Sequence, residues 1–147
     1  MNPFTLLHND HEKVSQLFQQ IQTSENLSER RDLFEILKAE LLAHAEVEED
    51  YFYPVLEKKE EDIEMEEHAI DEHEEVKQKL EEIENTTDDQ EWMSLLMKLK
   101  DEIEHHVEEE ESEIFSEIRN ILDEQQIEKL GDKLQKEKAK KLKKLQG

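Results

Sequence analysis

The chain has 147 residues, of which 42 are acidic and 19 are Lys or Arg, so its formal net charge is −23 at neutral pH. The absence of cysteine excludes disulfides, iron–sulfur clusters and thiolate zinc sites, and the negative charge disfavours nucleic acid and anionic membranes as partners. Because Leu, Ile, Val and Phe fill 38 positions and Gly and Pro only two each, the composition is not typical of disorder. We expect a soluble, cytoplasmic protein without a signal peptide or a transmembrane helix.

Helix-forming residues dominate, and apolar residues recur at helical spacing. Pro3 is typical of a helix start. Pro54 either kinks the second helix, or local hydrogen bonds compensate for the backbone N–H that proline lacks. Thr87 or Asp88 is a candidate cap for the fourth helix. The predicted helices are, in chain order, 3–24, 30–59, 62–84, 90–123 and a last segment, 124–146, interrupted or bent near Gly131.

Strand-like alternation is absent, so the predicted fold is all-α. We expect an up-down four-helix bundle built from two helical-hairpin repeats, with an added C-terminal helix. In this division residues 1–123 form the bundle and residues 124–147 form a basic amphipathic helical extension.

An internal repeat with an offset of 62 residues supports the two hairpins. The segment Asp10-His11-Glu12-Lys13-Val14 returns as Glu72-His73-Glu74-Glu75-Val76. The same offset pairs His44 with His106, Glu48 with Glu110, and Phe34, Leu37 and Leu41 with Leu96, Leu99 and Ile103.

The matched histidines and glutamates lie on the apolar stripes of their predicted helices. Burying such groups without compensation is costly for a domain of this size, and no Arg or Lys lies on these stripes near the glutamates. Since a His and a Glu four residues apart share one helix face, bound divalent cations are the best compensation. The candidate metal ligands are His11, His44, Glu48, His73, His106 and Glu110.

Other polar residues near these stripes receive weaker interpretations. Three histidines have no counterpart in the repeat and are expected to be incidental, exposed or outer-sphere: His8, His68 and His105. Glu49 and Glu111 are expected to be solvated or outer-sphere, with Glu111 as an alternative bridging ligand. Tyr51 lies on the stripe near Glu48, where it either donates a hydrogen bond or binds a metal; the interpretation of Tyr53 stays open.

These motifs resemble the hemerythrin-like, HHE cation-binding domain over about residues 4–123. The resemblance rests on Asp10–Val14, Glu72–Val76, His44-Ala-Glu-Val-Glu48-Glu49 with Tyr53-Pro54, and His106-Val-Glu-Glu-Glu110-Glu111 with Phe115. It implies a four-helix bundle that holds two iron ions with a bridging oxo or hydroxo group. The implied ligands are the four matched histidines, with Glu48 and Glu110 as bridges.

The resemblance also implies a range of functions. Oxygen-carrying members have a further histidine one turn before the ligand of the third helix, where this chain has Ala69. They also use an aspartate one residue after the position of Glu110. Simple reversible oxygen carriage is therefore disfavoured. We expect binding of, or reaction with, dioxygen, nitric oxide or hydrogen peroxide, in sensing, detoxification or stress response. The alternatives are a non-catalytic iron-binding or storage module and a structural bundle without metal. Whether the protein is an enzyme stays open.

The C-terminal segment differs from the rest in charge. Residues 124–147 contain eight lysines and four acids, for a net charge of +4, and carry an amphipathic stripe. One interpretation is a surface anchor or partner helix, including a homo-oligomer contact. The favoured interpretation is a basic helix that lies against the acidic bundle of its own or another subunit.

Overall fold

The computed structural model describes residues 1–146, and within this range the chain is helical without any β-strand. The predicted all-α fold is confirmed. Gly147, the last residue of the predicted extension, lies outside the described residues. Among the helices described, none is long and apolar enough to cross a bilayer. The α-helices are α1 (Pro3–Thr23), α2 (Leu27–Val47), α3 (Ile63–Glu84), α4 (Asp89–Glu109), α5 (Phe115–Ile121) and α6 (Glu124–Gln146).

The chain divides into two compact units, each built on one helical hairpin. The first unit comprises Met1–Val55 and the chain from Arg119 onward, so it contains α1, α2 and α6. The second unit comprises Leu56–Ile118 and contains α3 and α4. In the first, α1 packs along α2, and in the second, α3 packs along α4. The division into residues 1–123 and 124–147 stays a prediction.

Side-chain caps fix where three of the long helices begin. The Asn2 side chain accepts a hydrogen bond from the Phe4 amide at 2.7 Å, with Pro3 at the first helical position. Asn26 caps α2 in the same way. Of the two residues predicted to cap α4, Asp88 does so, by accepting from the Glu91 amide at 2.9 Å.

The second and fourth helices each change their winding at a glutamate of the repeat. A π-helical turn follows α2 at Glu48–Phe52, and another follows α4 at Glu110–Ile114, 62 residues later. The prediction of one helix over 30–59 is therefore wrong, because α2 gives way to this turn and then to a 3-10 helix over Tyr53–Lys58. Pro54 lies near the start of that 3-10 helix, where its missing N–H costs little.

The C-terminal helix α6 packs against α1 and α2 of its own unit. Leu134 is fully buried there, and Lys141 lies 3.0 Å from Asp50 and 3.4 Å from Glu46. Of the two interpretations from the sequence, the helix lying on the acidic bundle of its own subunit is confirmed. An additional role in homo-oligomer formation stays a prediction.

The predicted interruption at Gly131 is wrong, because α6 runs through this residue without a break. A Cβ atom at this position would lie 1.9 Å from the Met1 carbonyl oxygen. Gly131 therefore permits close approach of the N-terminal backbone. The alternative prediction of a bend near this residue stays a prediction.

Candidate functional site

The first hairpin brings together three of the predicted ligands, His11 from α1, His44 from α2 and Glu48 from the π-helical turn; we call these the first cluster. One nitrogen from each imidazole and one carboxylate oxygen lie within 4.8 Å of one another. His44 Nε2 is 3.1 Å from Glu48 Oε1, and the two imidazole centroids are 4.9 Å apart. Glu48 is fully buried, His44 is buried and His11 is half-buried.

The second hairpin repeats this arrangement with His73 from α3, His106 from α4 and Glu110 from the second π-helical turn; we call these the second cluster. Their ligand atoms also lie within 4.8 Å of one another. His106 Nε2 is 3.3 Å from Glu110 Oε2, and the imidazole centroids are again 4.9 Å apart. All three residues are buried, Glu110 completely. The repeat seen in the sequence is thus a repeat of side-chain geometry.

A second carboxylate holds the other nitrogen of one histidine in each cluster. His44 Nδ1 donates to Asp10 Oδ2 at 2.9 Å, and His106 Nδ1 donates to Glu72 Oε1 at 2.7 Å. These bonds turn each Nε2 toward the glutamate of its cluster, as metal-bound histidines require. Sequence reasoning assigned no role to Asp10 and Glu72. The repeat could have indicated their importance, because it places an acid directly before each of the matched histidines His11 and His73.

The electrostatics of the first cluster favour positive charge. Burial works against a protonated His44, but the negative charge of Glu48 and hydrogen bonds to Asp10 and Glu48 raise its pKa well above the usual value. Burial also works against a charged Asp10, yet the hydrogen bond from His44 and the charge of Lys138 lower its pKa overall. The carboxylates that favour a proton on His44 would equally favour a metal cation.

The tyrosine that contacts Glu48 is Tyr53. Its hydroxyl is 3.1 Å from Glu48 Oε1 and its side chain is fully buried. Tyr51, the residue that the sequence favoured for this contact, is half-buried, with the Lys133 ammonium 5.1 Å from its ring centroid. The π-helical turn is the reason, because it adds a residue and brings position i+5 toward Glu48. The counterpart of Tyr53 in the repeat is Phe115, which lacks a hydroxyl.

The three histidines without counterparts are exposed, with surface partners. His8 lies 3.6 Å from Glu12, and His105 lies 2.9 Å from Glu109. His68 lies 3.5 Å from Glu72 and thus makes an outer contact to the second cluster. Glu49 and Glu111 are half-buried. Among the described residues, neither belongs to a group whose donor atoms converge closely enough for a metal ion.

The donor set suits a borderline or hard transition-metal ion. Each cluster offers two imidazoles and one carboxylate, and the chain has no thiolate to compete. Imidazole and carboxylate together are typical ligands of iron and manganese. The oriented Nε2 atoms and the buried glutamates therefore fit a bound cation, while the assignment of individual ligands stays a prediction.

Comparison with known proteins identifies the family. The model of the hemerythrin HHE cation binding domain matches residues 2–118. The chain belongs to this hemerythrin-like family. A crystal structure of a hemerythrin HHE cation binding domain-containing protein from Mycobacterium kansasii superposes with a TM-score of 0.86 at 24% identity, over 98% of this chain and 89% of that one. This likeness confirms the hemerythrin-like helical bundle predicted from the sequence.

A relative of different length also resembles the hemerythrin-like chain. A protein named DNA nickase from Nostoc sp. strain PCC 7120 is 32% identical over 141 residues. The match covers 95% of this chain but 40% of that relative. The chain thus spans less than half the length of this curated relative.

Proposed function

We propose that this hemerythrin-like chain is a non-haem di-iron protein that binds or reacts with dioxygen, nitric oxide or hydrogen peroxide. The first and second clusters would each supply ligands to one iron ion, with Glu48 and Glu110 as the bridging carboxylates and an oxo or hydroxo group completing the bridge. The observation that carries the proposal is the doubled donor set, in which an imidazole Nε2 faces a buried glutamate twice. A proton or a cation is needed to make such a pairing favourable inside a protein.

The number of donors leaves room for an exogenous ligand. Two six-coordinate irons have about twelve positions, of which four imidazoles, two bridging carboxylates and one bridging oxygen would fill ten. When bound, a ferrous pair supplies electrons to dioxygen or peroxide and an open position to nitric oxide. Ala69 and its counterpart Leu7 are buried and bring no further nitrogen donor, which favours reaction or sensing over simple oxygen carriage.

The protein's own part is to orient and shield the donors. Asp10 and Glu72 hold His44 and His106 with their Nε2 atoms directed at the glutamates, and Tyr53 donates a hydrogen bond to Glu48. Such outer contacts tune ligand basicity and hold the rings in place. They would let the site form with little rearrangement when iron enters.

Iron content and the optical spectrum after anaerobic expression test the proposal. We expect two irons per chain in the wild type, and loss of iron in His73→Ala and His106→Ala. The matched controls are His68→Ala and His105→Ala, which remove exposed histidines of the same helices. Equal behaviour of all four variants would contradict the proposal.

A non-catalytic iron-storage module is the alternative within the same chemistry. Rapid peroxide turnover with two irons retained favours the di-iron reaction, whereas iron release on reduction without turnover favours storage. A protein that acquires no stoichiometric iron would be a structural bundle without metal.

The Nostoc relative makes DNA cleavage a further possibility to test. The net charge of −23 disfavours a polyanionic substrate on this chain. We therefore expect no nicking of supercoiled plasmid by the iron-loaded protein at physiological salt. Nicking that His106→Ala abolishes would favour a nuclease instead.

A further inference from the structure

The C-terminal helix places one ammonium group against the outer side of the first cluster. Lys138 of α6 contacts Asp10 Oδ1, and its Nζ lies 3.0 Å from Glu40 Oε2. Asp10 uses its other oxygen to accept from His44 Nδ1. Lys138, Asp10 and His44 therefore form a continuous hydrogen-bonded chain that leads to the Nε2 atom facing Glu48.

The surroundings of Lys138 show why this contact matters. Lys138 Nζ contacts both Asp10 and Glu40, whose side chains are only 11% and 2% exposed. The two carboxylates therefore share one ammonium, with little solvent to screen their charges. An ammonium between them offsets their repulsion. It also fixes the second oxygen of Asp10, so this carboxylate cannot rotate away from His44 without losing a charged contact.

Within residues 1–146, no lysine joins the two corresponding acids of the second hairpin: Lys79 contacts Glu102, the counterpart of Glu40, whereas the ion-pair partners of Glu72 are histidines. The residue equivalent to Asp10 is Glu72, whose second oxygen lies 3.5 Å from the exposed imidazole of His68. Together with His106, Glu72 lines a cavity of about 130 Å³. A shallower surface pocket of about 290 Å³ borders Asp10 and Lys138, so the two acids differ in their charged partner and not in the presence of a neighbouring cavity. The repeat also replaces Lys13, which binds Glu40, with Glu75. The outer carboxylate of the second cluster is thus longer and not fixed by an ammonium at this position.

We propose that Lys138 is a positioning residue that fixes the orientation of His44 through Asp10. As a result, the first cluster should release its metal ion more slowly than the second. This inference rests on the proposed function insofar as it requires one iron in each cluster. It assigns the C-terminal helix a role in making the two metal positions unequal. The role acts through orientation and charge, since the ion-pair partners of Lys138 are Asp10 and Glu40 and not the three predicted ligands of the first cluster.

The test measures iron release and Mössbauer spectra of the ⁵⁷Fe-loaded full-length protein. In the wild type we expect two kinetic phases of iron removal by a chelator and two distinct quadrupole doublets. In Lys138→Met the slower phase should become about 10- to 100-fold faster, as is usual when an outer partner of a ligand is lost. One doublet should shift while the other stays unchanged.

Two further variants separate positioning from general stability. Lys141→Met removes the same charge from the same helix at a contact with Asp50, and should leave both phases unchanged. Lys138→Arg retains the charge and should restore most of the slow phase. Asp10→Asn, which keeps an oxygen acceptor for His44 but loses the charge that holds Lys138, should affect the same doublet as Lys138→Met.

The outcomes are distinguishable. Two irons in the wild type with unchanged release in Lys138→Met would overturn the role of Lys138 alone. Equal acceleration of both phases in Lys138→Met, matched by Lys141→Met, would also overturn it, by showing a general loss of stability. A wild type that never holds two irons would overturn the proposed function, and this inference with it.

Discussion

The two hairpins carry the same donors in different surroundings. In the first, the acid that orients His44 is buried and fixed by Lys138 of α6. In the second, the acid that orients His106 is 18% exposed and its second oxygen contacts an exposed histidine. The repeat thus accounts for which atoms could bind metal, whereas elements outside the repeat differentiate the two positions. Sequence symmetry in a set of candidate ligands therefore does not imply symmetric surroundings.

Smaller differences between the hairpins lie within the repeat itself, at matched positions that carry different residues. Tyr53 donates to Glu48, while the equivalent Phe115 has no hydroxyl. Phe4 of the first hairpin is a buried apolar side chain, while the equivalent Glu66 of the second hairpin is a buried acid. Each of these differences can be removed by a single substitution.

The largest effect is expected from the two buried glutamates. If Glu48 and Glu110 both bridge, Glu48→Ala or Glu110→Ala should each release both irons, measured as metal per chain. Loss of only one iron in each variant would show instead that each hairpin binds its metal separately. The half-buried neighbours provide the controls, since Glu49→Ala and Glu111→Ala should retain both irons.

The contribution of α6 to the first unit is tested by Leu134→Ala. Leu134 is fully buried, so the substitution should lower the free energy of unfolding by about 2–4 kcal/mol. It should also accelerate iron release from the first cluster, because α6 carries Lys138. Leu145→Ala, at a side chain that is 41% exposed near the end of the same helix, should change stability by less than about 0.5 kcal/mol in urea unfolding.

A pH-dependent stability is expected from Glu66 of the second hairpin. Burial, together with the charge and hydrogen bond of Glu57, raises the pKa of Glu66 from 4.5 to about 7. The folded state therefore binds a proton that the unfolded state has released, and Glu66 makes stability fall as pH rises between these two values.

Glu66→Gln should remove this dependence. We expect the variant to be more stable than the wild type by about 2 kcal/mol at pH 8 and equally stable at pH 4. Denaturant unfolding at several pH values measures the difference. Glu64→Gln alters an exposed acid of the same helix turn and should leave the pH profile unchanged; an equal gain at pH 4 would contradict the titration of Glu66.

The smallest effect is expected from Tyr53→Phe, which makes the first hairpin resemble the second. Loss of the hydroxyl donor should lower the free energy of unfolding by about 1 kcal/mol and shift one Mössbauer doublet of the iron-loaded protein. Tyr51→Phe, at a half-buried residue, should do neither. A larger spectral change in Tyr51→Phe would support the original sequence-based choice of this tyrosine.

The sequence by itself determined the helices and the donor pattern. Helical periodicity is a local property, so the apolar stripe, Asp88 as a cap and the i, i+4 pairing of His44 with Glu48 could be predicted without any tertiary contact. The repeat then predicted the second set of candidate donors. Local periodicity could not place the π-helical turns. Such a prediction assumes the α-helical repeat of about 3.6 residues per turn, and the extra residue of a π-helical turn shifts every later side chain around the helix.

Only the tertiary structure decided what surrounds the donors. Asp10 and His44 are 34 residues apart, and Lys138 and Asp10 are 128 residues apart. No periodic pattern links residues at such separations, and their contacts depend on how whole helices pack. Gly131 likewise looked like a break in the sequence, but the approach of the Met1 backbone explains it. The ligand pattern is therefore a local property of each helix, whereas its orientation and charge compensation arise from packing.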